Sequence, residues 1–440
     1  MRRILWFRRD LRVEDNPLLA LDGEVLPIFI FDTNILEKLP QNDKRVSIIY
    51  DGVLRLKREL QSLGLDLKIF YGKPLEIFAS LRLGDFDEVG ASGDYDAYAK
   101  ERDRAISQMI HFRYLSDTYI FKPKEVMKKD GSPYLVFTPF YKAALPILEH
   151  KDLSPTANAN QKLYAYDYSN AITLESMGFE PQQFAFAHSK DDIDLFFEKI
   201  AVYETQRDFL DLNATSHLSV ALRFGFVSIR SLVRRALAHK NGAAFVRQLI
   251  FRDYYAYLLF HFPSLASQNY KGSFNGICDD EKFALFSRAE TGVPIIDAGV
   301  RELLETGNMH NRVRMVVASF FTKDLLLPWQ WGEAFFAKHL LDYDAASNIL
   351  SWQWSAGTGI DPQPYFRVFN PYLQSKKFDK DGIYMKKYIP ELKAVEAKRL
   401  HDEAYLLNAT IPNYKKPMLV HKEAAAVAIE SFKQGAKDNV

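Results

Sequence analysis

Short apolar runs at 4–7, 25–31 and 67–71 alternate with stretches of helical period, the clearest of them at 46–63. A weaker run at 88–91 precedes a helical stretch predicted at 95–109. Brief buried strands alternating with amphipathic helices build a parallel, doubly wound sheet with helices on its faces. Residues 1–130 are therefore predicted to form an α/β domain of Rossmann-like architecture. No GxGxxG turn accompanies it, so the fold by itself names no ligand. Past residue 130 the pattern changes. Gly131-Ser132-Pro133 reads as a turn, and 150–192, with Pro155, Gly178 and Pro181, carries little periodicity. This region, 131–192, is predicted to be a long surface connection. Helical spacing governs the rest, at 193–203, at 220–237 with a break at Gly225, and at 244–262. Residues 193–440 are predicted to form an all-helical domain, ending in a helix at 422–433. There is no internal repeat.

Polar side chains suited to a buried site recur inside the aromatic-rich segment 308–354. Arg312 and Arg314 follow His310 and Asn311; further on come Trp329, Trp331, Asp342, Asp344, Asn348, Trp352 and Trp354. A buried arginine needs a carboxylate, because an unpaired charge in a low dielectric costs several kcal/mol or so. Asp342 or Asp344 is the expected partner of Arg312. Trp352 and Trp354 lie two residues apart, so on a helix they point about 200° apart. One indole can then face the interior while the other lines an opening.

The chain has 440 residues, a formal charge of +1 and a single cysteine, Cys278. So small a net charge confines any nucleic-acid surface to a local patch. One cysteine excludes an internal disulfide and a four-cysteine cluster, and no metal site is expected. Only four apolar residues, Ile4 to Phe7, precede Arg8-Arg9-Asp10, too few for a signal-peptide core. The apolar run from Met315 to Phe321 meets Lys323-Asp324 well short of the roughly 18 residues a membrane helix needs. A cytoplasmic protein without a membrane segment is expected. Aromatic residues make up 14% of the chain, which suits a large flat ligand or a well-filled helical core.

Three stretches carry a resemblance: LWFRRDLRVEDNPLL at 5–19, MHNRVRM at 309–315 and WQWSAGTGIDPQPYFRVFNP at 352–371. They are similar to the DNA photolyase/cryptochrome family, and the similarity runs from about residue 3 to residue 392. The nearest type is the class I enzyme that repairs cyclobutane pyrimidine dimers. The resemblance implies flavin adenine dinucleotide (FAD) in a helical pocket, which gives an electron to the dimer when it is reduced and excited by light. It implies flavin contacts at Tyr203, at Thr215-Ser216-His217-Leu218-Ser219 around the diphosphate, and at Arg252, Arg312, Asp342 and Asp344. Asn348 is implied beside flavin N5, and Arg312 paired to Asp342. Trp352 and Trp329 match two electron-transfer tryptophans; no tryptophan stands at the outermost place, where Tyr270 and Phe274 are the nearest aromatics.

For the substrate, the resemblance implies UV-damaged DNA with the dimer flipped toward Gln248, Asn311, Met315 and Trp354. Arg207, Phe251, Arg312, Arg367 and Gln374 are implied on the DNA side, with Lys376-Lys377 extending the rim. Asn311 and Met315 stand where the pyrimidine-pyrimidone repair branch carries two histidines, so the cyclobutane lesion is the expected substrate. Gln248 replaces a substrate-binding glutamate, and Phe251 a tryptophan. An amide both donates and accepts, but it offers no negative charge and no proton. Tyr98-Ala99 and Ser267 replace folate-contacting residues, which argues against a folate antenna and leaves another chromophore or none. A monomer is expected. The alternative is a cryptochrome-like blue-light receptor with weak repair, to which Gln248, Phe251 and the absent tryptophan point.

Overall fold

The computed structural model describes residues 1–272, 276–364 and 366–437, so Phe274 lies outside the described residues. Strands β1 (Arg2–Phe7), β2 (Gly23–Asp32), β3 (Lys68–Gly72), β4 (Glu88–Ser92) and β5 (Phe112–Leu115) form a parallel sheet in the order β3-β2-β1-β4-β5. Ile4 is in register with Leu26 on one side and Val89 on the other, and all three are fully buried. Strands covered on both faces read as continuous apolar runs, which is why β1 and β2 stood out from the sequence, whereas β5, with Arg113 and Tyr114 exposed, did not. β6 (Gln161–Leu163) pairs with β2 and falls inside the stretch read as surface connection. Three residues with one apolar side chain leave no detectable period.

Helix α1 (Lys44–Ser62) is capped by Asp43, and α2 (Ala97–Ser107) by Asp96, which accepts the Ala99 N–H at 2.7 Å. That cap sets the start of α2 two residues later than the apolar spacing suggested.

The chain divides into two compact units. The first, an α/β unit, contains Met1–Pro133, Pro139–Ala201 and Ser216–His261. Its last segment carries helices α3 (Ser219–Phe224), α4 (Ile229–Leu237) and α5 (Ala243–His261). The LRVED motif is what binds this segment to the sheet. Buried Arg12 makes two bonds to Asp117, at 2.5 and 2.9 Å, and a third to the carbonyl of Gly225 at 3.2 Å. Asp15 takes Arg230 at 2.7 Å and the Ser228 hydroxyl. Gly225 ends α3 at φ +68°, and a Cβ there would lie 2.0 Å from the Arg9 carbonyl oxygen. Only glycine fits.

The second, helical unit contains Tyr134–Thr138, Val202–Thr215 and Phe262–Val440. Helix α6 (Asn311–Ser319) runs on into a π-turn (Phe320–Asp324), followed by α7 (Trp329–His339), α8 (Ala345–Ala356), α9 (Pro371–Phe378) and α10 (His421–Lys437). Among the described residues no helix is long and apolar enough to cross a membrane.

Candidate active site

In the helical unit the polar residues of 308–354 are held by partners on other elements. Arg312 Nη2 donates to Asp208 at 2.6 Å, and its guanidinium lies 4.4 Å from the Phe378 ring centre. Arg314 takes Asp342 with two bonds, at 2.9 and 3.2 Å. The expected pairing of Arg312 with Asp342 or Asp344 is therefore corrected. On α6 the two arginines point to different sides, and Arg314 is the one that reaches Asp342. Asp344 caps α8, accepting the Ser347 N–H at 3.2 Å. His310 caps α6 through Nδ1, which accepts the Arg312 N–H at 3.1 Å.

One turn into α8, Asn348 is buried. Its amide nitrogen donates to the Glu333 carbonyl oxygen at 3.1 Å and to Glu333 Oε1 at 3.0 Å. Glu333 also accepts from the Tyr343 hydroxyl at 3.3 Å, and burial raises its carboxyl pKa. The amide is thereby fixed with Oδ1 as its accepting end. Four residues on, Trp352 is 1% exposed and packs edge-on against Phe336 at 4.9 Å and Phe321 at 5.4 Å. Gly332 makes room for it: a Cβ at 332 would sit 2.2 Å from the indole. Trp329 is 3% exposed and donates from Nε1 to Asn269 Oδ1 at 2.8 Å. Trp354 faces another side of α8 and is half-buried.

Near the surface, Asn311 is exposed and its amide reaches Met315 Sδ at 3.8 Å. Tyr203 is buried, with the Arg207 guanidinium 5.6 Å from its ring centre. Arg367 is exposed, and Gln374 lies half-buried on α9. Sequence reasoning did not single out Asp208, Glu333 or Gln353. Gln353 is fully buried between the two tryptophans and donates to the carbonyls of Leu265 at 2.7 Å and Gln268 at 3.1 Å.

In the α/β unit, Gln248, Phe251 and Arg252 share one face of α5, all half-buried, while Leu249 and Ile250 face the core. Arg252 donates from Nη1 to the Thr118 carbonyl at 2.7 Å and lies 4.6 Å from the Tyr119 ring centre. At the start of α3 the N-cap position is Leu218, which supplies no side-chain cap; Ser216 Oγ accepts the Leu218 N–H at 3.4 Å, and His217 adopts φ +53°. Thr215, the neighbouring residue, belongs to the helical unit.

Residues 3–159 match the DNA photolyase family, and residues 245–434 match the FAD binding domain of DNA photolyase. The deoxyribodipyrimidine photo-lyase of Alkalihalophilus pseudofirmus is 33% identical, with 98% of each chain covered. The chain belongs to the DNA photolyase family. The photolyase fold extends over its whole length. A crystal structure of a class III photolyase from Agrobacterium tumefaciens matches with a TM-score of 0.89 at 31% identity, covering 99% of this chain and 98% of that one. An archaeal photolyase from Sulfolobus tokodaii, solved with two FAD molecules, matches with a TM-score of 0.85 at 29% identity, covering 99% of this chain and all of the other.

The side chains fit the cofactor that a photolyase carries. Arg252 Nη2 and Arg312 Nε are buried donors with no partner among the described residues. Buried polar atoms are almost always paired, so each signals a missing acceptor. Phosphate and carbonyl oxygens of a dinucleotide are acceptors of this kind. The uncapped start of α3 presents backbone N–H groups of the same character.

Proposed function

We propose that this photolyase repairs cyclobutane pyrimidine dimers in DNA, using light absorbed by reduced FAD. The observation that carries the reading is the Glu333–Asn348 pair, which presents an amide oxygen as a fixed acceptor in a buried setting. An acceptor so held suits the N5–H of a reduced flavin. Tyr203, Thr215, Arg312, Asp342 and Asp344 of the helical unit are proposed to hold the cofactor. Ser216, His217, Leu218, Ser219 and Arg252, in the α/β unit, are proposed as cofactor contacts by their match to the family pattern. Held by these residues, reduced FAD would supply light-driven electron donation to the cyclobutane ring, with no net redox change. The protein supplies position and electrostatics.

Arg312 serves twice in this reading. Asp208 balances its charge at one end, and its Nε, with no partner among the described residues, would be the donor to the ligand. Gln248, Asn311, Met315 and Trp354 contact the flipped dimer, with an aromatic face for stacking and amides for the pyrimidine carbonyls. Arg207, Phe251, Arg367 and Gln374 meet the strand, and phosphate contacts of that kind give salt-dependent affinity of little sequence preference. Trp352 and Trp329 carry electrons to the cofactor in a separate photoreduction step. Trp352, buried and edge-packed, is held rigid for it. A monomer acting in the cytoplasm completes the reading. Similarity to a class III structure leaves no ground for preferring class I, so the reading stands at the level of the lesion.

Illumination of reduced protein with dimer-containing single-stranded DNA should restore pyrimidine absorbance over many turnovers. Binding without recovery would select a light receptor, the function that Gln248 and Phe251 favour.

A further inference from the structure

The loop between α8 and α9, which carries Arg367, displays an exposed phenylalanine beside it: Phe366 is 59% exposed. Two fully buried polar side chains hold this loop by its backbone. Ser319 Oγ, at the end of α6, accepts the Phe369 N–H at 3.2 Å. Lys323 Nζ, in the π-turn that follows, donates to the Arg367 carbonyl at 3.1 Å. A lysine with no exposed surface is costly, because burial disfavours its charge; here it pulls the ammonium pKa down to about 8. Phe320 and Phe321 in the same turn are also fully buried, while the neighbouring Asp324 is taken up by His421. Core packing alone would be served better by a leucine or methionine at 323. The charge is retained where it grips the backbone of one exposed loop residue, the residue proposed to meet the DNA strand.

We propose that Lys323 is a positioning residue for DNA binding: with Ser319 it fixes the backbone of residues 367–369, so that the Phe366 ring and the Arg367 guanidinium stand ready for a nucleobase and a phosphate. The inference rests on the repair reading above and extends it to a residue that touches neither DNA nor flavin. An exposed ring next to an arginine is the pairing that binds unstacked single-stranded bases, stacking on one and charge on the other. Held in place beforehand, the loop does not lose conformational freedom on binding.

The test is a double-mutant cycle. Dark affinity for an oligonucleotide carrying one cyclobutane pyrimidine dimer is measured for wild type, Lys323→Met, the Phe366→Ala/Arg367→Ala pair and the combination of all three. Lys323→Met should weaken binding about tenfold in the wild-type background and less than about twofold once the loop side chains are gone. In steady-state repair its KM should rise while the yield per absorbed photon at saturating DNA and the flavin spectrum stay as in wild type. An equal loss in both backgrounds, or a fall in photon yield with KM unchanged, overturns the inference. Ser319→Ala removes the second grip without touching a charge; it should show the same non-additivity on a smaller scale, and it decides the matter if Lys323→Met does not fold. Absence of dimer binding by wild type would sink the repair reading itself, whereas additivity with wild-type binding intact sinks this inference alone.

Discussion

The sheet crevice of the α/β unit and the 308–354 segment of the helical unit handle buried charge differently. At the carboxyl ends of β1 and β4, where the strand order reverses and doubly wound folds hold their ligands, the α/β unit fills the crevice with its own groups. Arg8 takes Asp103 at 2.7 and 2.8 Å, Arg102 takes the same carboxylate at 2.9 Å, and both guanidiniums lie under 5 Å from the Trp6 ring centre. Ser92 Oγ donates to Asp10 at 2.7 Å, and Arg9 takes Asp94 at 2.9 Å. In the helical unit, Arg312 Nε is buried with no partner among the described residues, and Asn348 is turned by Glu333 so that its oxygen is the end on offer. The crevice pairs most of its charged groups with one another and gains a fixed shape. The helical segment keeps some of its own for something still to arrive.

That contrast can be broken most severely at the clasp. Arg12→Leu leaves Asp117 buried and unpaired, and should cost about 3–5 kcal/mol of stability. Thermal or urea unfolding would show it, and whatever folds should retain the flavin spectrum of wild type. A second large effect is expected from Asp253 on α5. This carboxylate accepts the Ile120 and Phe121 N–H groups through one oxygen, at 2.7 and 2.9 Å, while the other oxygen is buried with no partner among the described residues. Burial outweighs those bonds and pushes its pKa up to about 7. A carboxyl whose pKa is raised by folding contributes stability that is complete below its ordinary pKa of 3.8 and is lost as pH rises through about 7. The melting temperature should therefore be higher near about pH 5 than near about pH 8, and Asp253→Asn, which cannot ionise, should remove that part of the slope. An unchanged slope in the variant would show that other groups carry it.

Smaller effects are expected on the ligand side. Glu333→Ala removes the side-chain half of the Asn348 anchor and keeps its bond to the backbone carbonyl of 333, a loss of about 1.5 kcal/mol of hydrogen bonding that loosens the amide. Repair yield per photon should drop about tenfold with dimer affinity unchanged. Loss of affinity instead would place Asn348 in DNA binding. Gln248→Glu restores a charged acceptor on the exposed face of α5 and should raise the yield a few-fold, by about 1 kcal/mol or less. An equal or lower yield contradicts the part given to that amide.

How much of this was legible in the sequence follows from where each feature gets its definition. Strands β1 and β2 are continuous apolar runs, so their place and their parallel pairing could be read from local pattern; β4, Glu88 to Ser92, carries only a weak one. The long motifs carried the family, and with it the location of Asn348, Trp352 and Trp329. Pairings across the fold were another matter. Arg312 has two carboxylates downstream, Asp342 and Asp344, yet it takes Asp208, which no spacing rule connects with it. Glu333 reads as an ordinary surface residue of α7 until the fold brings Asn348 against it. Strand β6 is defined by three backbone pairs with β2 and by nothing in its own side chains. Likewise 216–261 packs with the sheet through Asp15, Arg12 and the close approach at Gly225, although its helical period is indistinguishable from that of the residues after it.

The claim on which the rest depends is that the unpaired donors and the fixed amide of this chain are there for a flavin. Its most direct test is the absorption spectrum of the purified protein, before and after reconstitution with excess FAD and removal of the unbound fraction. The account predicts flavin bands at close to one cofactor per chain, diminished when Arg252 and Arg312 are replaced. Protein that stays colourless after reconstitution would contradict it.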